Sequence, residues 1–227
     1  ARGRGDAEDA ATAARRWKAM AELGLLGLSF DTDLGGSGQG AVETMLVAEA
    51  FGRALGGGAW LSSVVLAGGL VADAGSPAQR ERWLPAIAAG DARLALAIDE
   101  AQTRYRPALA ECRARADGNG WRLDGRKTLV LDGDTADAFV VLARTAGRAG
   151  DAHGLTLFLV DAKADGLRVQ GFDTLDGRRA AHLGLADLRV SFEATVGPVD
   201  GALPLVEAAL DRAAAALCAE AAGAIDA

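Results

Sequence analysis

The hydrophobic period of this chain changes twice. Apolar residues recur at helical spacing up to about residue 89, alternate from about residue 90, and return to helical spacing from about residue 201. Strands that follow one another with turns, and no helices, between them cannot form βαβ units, so the middle stretch reads as an antiparallel sheet or barrel. The predicted order is helices, then antiparallel strands, then helices.

In the first part, residues 9–22 carry an apolar comb of Ala13, Trp17 and Met20, continued by Leu25 beyond a stop at Gly24. The polar run Asp31-Thr32-Asp33-Leu34-Gly35-Gly36-Ser37-Gly38-Gln39-Gly40 reads as a flexible loop. It lacks the preceding strand and following Gly-Lys-Ser/Thr of a phosphate cradle. Residues 41–55 place Met45, Leu46, Phe51 and Leu55 on one predicted helix face, and residues 60–73 are apolar almost all round, the pattern of a buried helix. The next helix has the clearest start. Ser76 caps, Pro77 takes the first turn, and Gln79 completes a capping box.

Strands are predicted over residues 94–98, 111–116, 121–123, 127–131, 138–144, 155–160, 167–170 and 182–190. Asp117-Gly118-Asn119-Gly120 is a strong hairpin signal; Asp124-Gly125 and Asp132-Gly133 read as two more turns. From residue 201 Leu203, Val206, Leu210, Leu217 and Ala221 line one side of a helix. It finds nothing to pack on within residues 1–200 and is expected to open a third, helical domain. The divisions are 1–90, 91–200 and 201–227.

At 227 residues, half of them hydrophobic, the chain suits two domains better than one. The formal charge of −7, with no basic run, argues against nucleic acid as a partner. Cys112 and Cys218 stand far apart with no Cys or His at ligand spacing, so neither a disulfide framework nor a metal site is expected, and a reduced cytoplasmic location fits. No run of about 18 uncharged apolar residues marks a membrane span. The first residue is not Met and the last helix is still in progress, so pieces are expected to be missing at both ends. His153 and His182 have no acid or nucleophile at motif spacing and read as structural, and Trp17, Trp60, Trp83 and Trp121 read as core.

Five segments, in order, resemble the acyl-CoA dehydrogenase family. Ala21-Glu22-Leu23-Gly24-Leu25-Leu26-Gly27-Leu28 with Asp33-Leu34-Gly35-Gly36-Ser37-Gly38 is similar to its first-domain signature. Gly75-Ser76-Pro77-Ala78-Gln79-Arg80-Glu81-Arg82-Trp83-Leu84-Pro85 resembles its G-S-x-x-Q-K-x-x-x-L-P helix. Leu123-Asp124-Gly125-Arg126-Lys127 resembles L-N-G-x-K, Ala143-Arg144-Thr145 resembles A-R-T, and Ala209-Leu210-Asp211-Arg212 resembles the start of the third domain. The resemblance implies an α+β multidomain fold: a helical N-terminal domain, an antiparallel β middle domain, and the start of a C-terminal helical bundle. It also implies FAD as cofactor, acyl-CoA as substrate, and a glutamate base that in most members lies beyond residue 227. No catalytic residue is therefore assigned in this chain.

The resemblance places the flavin-facing positions at Ile98, Asp99, Arg104, Tyr105 and Leu131, and a substrate-facing one at Asp211. Several depart from the family pattern. Asp99 stands where the family has a flavin-contacting Thr, and Arg104-Tyr105 where it has Gly-Ser. Leu129 and Leu131 replace the Trp and Thr of W-I-T-N-G, and Ala214 replaces the Arg of D-x-x-R. A leucine donates no hydrogen bond. Asp99 and Glu100 occupy opposite faces of an extended strand, so they cannot grip one substrate together. Asp99 is expected to pair with Arg104 or Arg106 and plug the flavin pocket. Residues 174–181 and 210–220 most resemble the degenerate small subunit of two-gene pimeloyl-CoA-dehydrogenase-type enzymes. The expected function is that of a partner subunit to a homologous, catalytic subunit. The alternatives are a homo-oligomeric dehydrogenase with an atypical flavin site, Arg104 reaching the pyrophosphate, and a non-enzymatic scaffold.

Overall fold

A computed structural model describes residues 10–227. Helix α1 (Ala10–Glu22) and α2 (Ala41–Ala54) precede α3, which winds as a π-helix over Leu61–Gly68 and continues as an α-helix over Gly69–Ala74. All of residues 61–71 are buried, as the all-round apolar pattern predicts. Helix α4 (Pro77–Ala88) begins with the capping box read from the sequence: Ser76 Oγ accepts from Gln79 N at 3.2 Å, and Ser76 N donates to Gln79 Oε1 at 2.9 Å.

The strands are β1 (Leu94–Ala97), β2 (Arg113–Asp117), β3 (Gly120–Leu131), β4 (Ala138–Arg144), β5 (Leu155–Asp161), β6 (Leu167–Asp173), β7 (Arg179–Ser191) and β8 (Thr195–Val196). They form one sheet in the order β6-β7-β3-β2-β4-β5-β8, with β1 also on β4. The pairing is mostly antiparallel, but β1 and β2 both run parallel to β4. They share one edge of it: β1 occupies residues 138–141, and β2 arrives only at Arg144. Between them the chain must leave the sheet, and residues 98–112 form that excursion.

The central strands are covered on both faces. Leu94, Leu96, Val140, Leu142, Leu155 and Leu157 pack with the helices, while Ala95, Ala97, Phe139, Val141, Phe158 and Val160 pack on Leu123, Val130, Leu183 and Leu188 of β3 and β7. Burial on both faces explains why β1, β4 and β5 read as continuous apolar runs.

Four expectations need correction. Asp124-Gly125 is not a turn: β3 runs through it with a register shift, Gly125 at φ 151°, because a side chain there would lie 2.8 Å from the Cα, Cβ and Sγ atoms of Cys112. The 31–40 loop is tied down rather than free, with Ser37, Gly38 and Gln39 donating backbone bonds to Gly27, Phe30 and Leu28. On α2 the buried face is Ala48 and Gly52, leaving Leu46 60% and Leu55 86% exposed. The reason lies in α5 (Leu203–Ile225), the helix expected to lack a neighbour. It packs on α2 so closely that a Cβ at Gly52 would lie 1.8 Å from Glu220 O, and one at Gly223 would lie 1.9 Å from Glu49 O. Small residues, not the large apolar ones, set that contact. Of the tryptophans, Trp17, Trp60 and Trp83 are buried; Trp121 is half-buried, edge-on to Phe158 and Phe192. Among the described residues no helix is long and apolar enough to cross a membrane.

Candidate functional site

The excursion between β1 and β2 carries most of the residues that the sequence singles out. Its root is anchored by a buried ion pair. Lys127, inward-facing on β3 and inaccessible to solvent, places Nζ 2.7 Å from Glu100 Oε1 and 3.2 Å from Ile98 O. Glu100 also accepts from the backbone N–H of Glu111 at 2.9 Å and of Cys112 at 3.1 Å, and from Gln102 Nε2 at 2.7 Å. Burial alone would push the Glu100 carboxyl up, but the Lys127 charge and these donors hold it below its ordinary value. Burial also pushes the neighbouring Cys112 thiol up to about 11. One carboxylate thus closes both ends of the excursion onto β3.

Asp99 faces elsewhere. It is half-buried, its Oδ1 3.5 Å from Thr103 Oγ1, and its backbone carbonyl accepts from Thr128 N at 2.8 Å. Burial raises its carboxyl above the ordinary value, against the opposing Lys127 charge. Among the described residues Asp99 forms no ion pair with Arg104 or Arg106, so the expected plug is absent. Arg104 and Tyr105 sit at φ 44° and 64°, and Tyr105 is 88% exposed. That tight turn throws both side chains into solvent rather than into a flavin pocket.

Ile98 is buried against the helices. Leu131 is half-buried at the end of β3, and Leu129 is exposed at φ 51° within a register shift between Lys127 and Val130. Asp132 follows at φ 54°, accepting from Ser62 Oγ of α3 at 2.6 Å, its carboxyl raised by burial. Next to it lies a cavity of about 330 Å³ between helices and sheet, lined by Trp17, Met20, Arg93, Asp132, Arg178 and Glu220. There Arg178 donates to Glu220 at 2.9 Å, and Arg93 stacks 4.9 Å over Trp17. Asp211 is exposed on α5; its neighbour Arg212 pairs with Asp73 at 2.9 Å. His182 is an exposed strand residue stacked 4.5 Å from Phe172, and the exposed His153 gives its carbonyl to Arg144. Among the described residues no three His, Cys, Asp or Glu gather as a metal site would require.

The structure therefore brings Asp99 beside β3 at Thr128, three residues before Leu131, and leaves the Arg104, Tyr105 and Asp211 side chains exposed. Sequence reasoning missed Lys127 and Asp132. A lysine at an inward position of an alternating strand was the available signal for the first, since a buried ammonium requires a carboxylate.

Residues 3–91 match the family model "Acyl-CoA dehydrogenase, N-terminal domain", and residues 95–190 match "Acyl-CoA dehydrogenase, middle domain". The chain belongs to the acyl-CoA dehydrogenase family. Among curated relatives, acyl-CoA dehydrogenase FadE27 of Mycobacterium tuberculosis is 33% identical over 187 residues, covering 82% of this chain and 47% of that protein. The (2S)-methylsuccinyl-CoA dehydrogenase of Cereibacter sphaeroides is 28% identical over 197 residues, covering 81% of this chain and 36% of that protein. A glutaryl-CoA dehydrogenase from Mycobacterium smegmatis, solved with FADH2, superposes with a TM-score of 0.83 at 26% identity, over 92% of this chain and 54% of the other. The chain spans about half the length of the curated relatives it matches.

The family is one of FAD-binding oxidoreductases. At the positions that the motif resemblance sets toward a flavin, the residues of this chain do not fit an isoalloxazine. Leu129 and Leu131 offer no side-chain donor, and the Asp99 carboxylate would face the anionic charge of a reduced ring. The misfit is chemical rather than steric, because Arg104 and Tyr105 point away.

Proposed function

We propose that this chain is the non-catalytic partner of a flavin-dependent acyl-CoA dehydrogenase, folded like its catalytic relatives and acting beside a homologous subunit that holds the flavin and the base. The observation that carries this reading is the pairing of Leu131 with Asp99 at the positions that face the flavin in the family: one withholds a hydrogen bond and the other adds negative charge. Neither loss weakens the scaffold, since the Glu100–Lys127 pair anchoring the same segment is intact. A chain still chemically active would be expected to keep the donor as well as the scaffold.

Co-expression tests it. The chain purified alone is expected to be colourless. With a homologous dehydrogenase subunit it should form a yellow complex with one FAD per pair, whose acyl-CoA dehydrogenation is abolished by removing the glutamate base of the other subunit. Stoichiometric flavin on this chain alone would instead support a homo-oligomeric enzyme. A colourless, inactive mixture would leave the fold in service of binding only.

A further inference from the structure

The cavity of about 330 Å³ between α1, the 55–59 connection and the sheet holds charges that the protein leaves unmatched. Most of its ions are engaged. Arg178 pairs with Glu220 at 2.9 Å and lies 3.9 Å from Asp176, Arg179 pairs with Asp134 and Asp173, and Arg16 is not free. Two groups are left over, one of each sign.

The cation is Arg93, half-buried just before β1, its guanidinium 4.9 Å over the Trp17 ring. Its backbone N–H donates to Asp137 at 2.9 Å, but among the described residues its side chain has no hydrogen bond or ion pair. The missing partner alone does not mark it, since Arg104, Arg106, Arg113 and Arg115 lack one too. Those four are exposed, whereas burial pulls the Arg93 guanidinium below its ordinary pKa against the more distant charges of Asp132, Asp137 and Asp134.

Asp132 is its counterpart. It is held at φ 54°, a strained conformation for a residue with a side chain, and Ser62 Oγ donates to its Oδ2 at 2.6 Å. Its Oδ1 has no hydrogen bond among the described residues. Burial pushes this carboxyl up, and Arg178 and Arg93 act on it only from beyond ion-pair distance. Two partly desolvated ions of opposite sign thus line one cavity without touching. A simple anion would satisfy Arg93 and press its charge on Asp132; a simple cation would do the reverse. A ligand carrying both signs relieves both. Trp17, Met20 and Ala59 add an apolar wall that suits a short hydrocarbon body.

We propose that this cavity binds a small zwitterion of the amino-acid class, its carboxylate taken by Arg93, its ammonium by Asp132, and its hydrocarbon part by Trp17 and Met20. The fork of guanidinium N–H groups matches a carboxylate, and Asp132 Oδ1 accepts from an ammonium. The site goes beyond the partner-subunit reading and does not rest on it, since neither flavin nor acyl-CoA takes part.

Calorimetric titration of the chain with L-leucine, whose charges are adjacent, and with 6-aminohexanoate, whose charges are separated, tests it. At least one is expected to bind, and which one reports the spacing of the two ions. The single-charge analogues should bind about tenfold or more weaker: 4-methylpentanoate and 3-methylbutylamine against leucine, hexanoate and hexylamine against 6-aminohexanoate. Arg93→Met should abolish the preference for the zwitterion over the amine. Asp132→Asn, which tolerates positive φ and still accepts from Ser62, should abolish its preference over the carboxylate. Arg168→Ala on β6, outside the cavity, should change nothing. Circular dichroism and melting separate these effects from misfolding, and the analogue series needs no variant. Binding by neither zwitterion, equal binding by a single-charge analogue, or unchanged preference in both variants would each overturn the proposal. The co-expression experiment reports separately on the partner-subunit reading, so either can fail without the other.

Discussion

The root and the tip of the 98–112 excursion are a few residues apart and obey different rules. At the root, Glu100 and Lys127 are sealed from water and every hydrogen-bonding partner is fixed. At the tip, Arg104 and Tyr105 turn through positive φ into solvent. Sequence departures at the two places therefore mean different things. A change at the tip alters what the surface presents; a change at the root alters whether the segment is held at all.

The sharpest way to break this contrast is Lys127→Met, which leaves a buried carboxylate with no counter-charge. A loss of about 3–5 kcal/mol in urea unfolding is expected. Lys127→Met combined with Glu100→Gln should recover part of that loss, because the uncompensated charge is gone. Gly125→Ala attacks the root from the other side, against Cys112, and should cost about 1–3 kcal/mol by the same measurement.

The pH dependence of unfolding sharpens the contrast further. The Glu100 carboxyl is held below its ordinary value, so its contribution is fully present above the unfolded carboxylate pKa of about 4.3. It is lost as pH falls through the lower folded value. Glu100→Gln should flatten that acid limb. Asp99 has the opposite sign: its raised carboxyl makes ionisation destabilising as pH rises from the unfolded value through the folded one. Asp99→Asn should make the protein slightly more stable at pH 7 and leave the acid limb in place. At the tip, Arg104→Ala and Tyr105→Ala should shift stability by no more than about 0.5 kcal/mol. A large effect there would show that the tip is held by something beyond its own turn.

The fold was legible in the sequence wherever a local pattern agreed with the packing. The Ser76 capping box, the β2–β3 hairpin at Gly118-Asn119, and the strand over Ala138–Arg144 all stand as read. The failures have one physical source, long-range contact overriding local preference. Asp124-Gly125 has the chemistry of a turn, yet Cys112 presses on it from another strand. Met45 and Leu46 look like a core face, yet α5 arrives from more than 150 residues away and takes the small-residue face instead. At the candidate site, the substitutions at Asp99, Leu129 and Leu131 could be read from the family motifs. Where their side chains point could not, because Arg104 and Tyr105 owe their orientation to a left-handed turn that no residue type announced.

The interlock of Gly52 with Gly223 sets the order in which the polypeptide can mature. The whole sheet is synthesised between the two helices that meet there, so α2 leaves the ribosome with its seat empty. The α2 face around Gly52 is covered only after about 170 further residues have been made, and until then it stays open to non-native contacts.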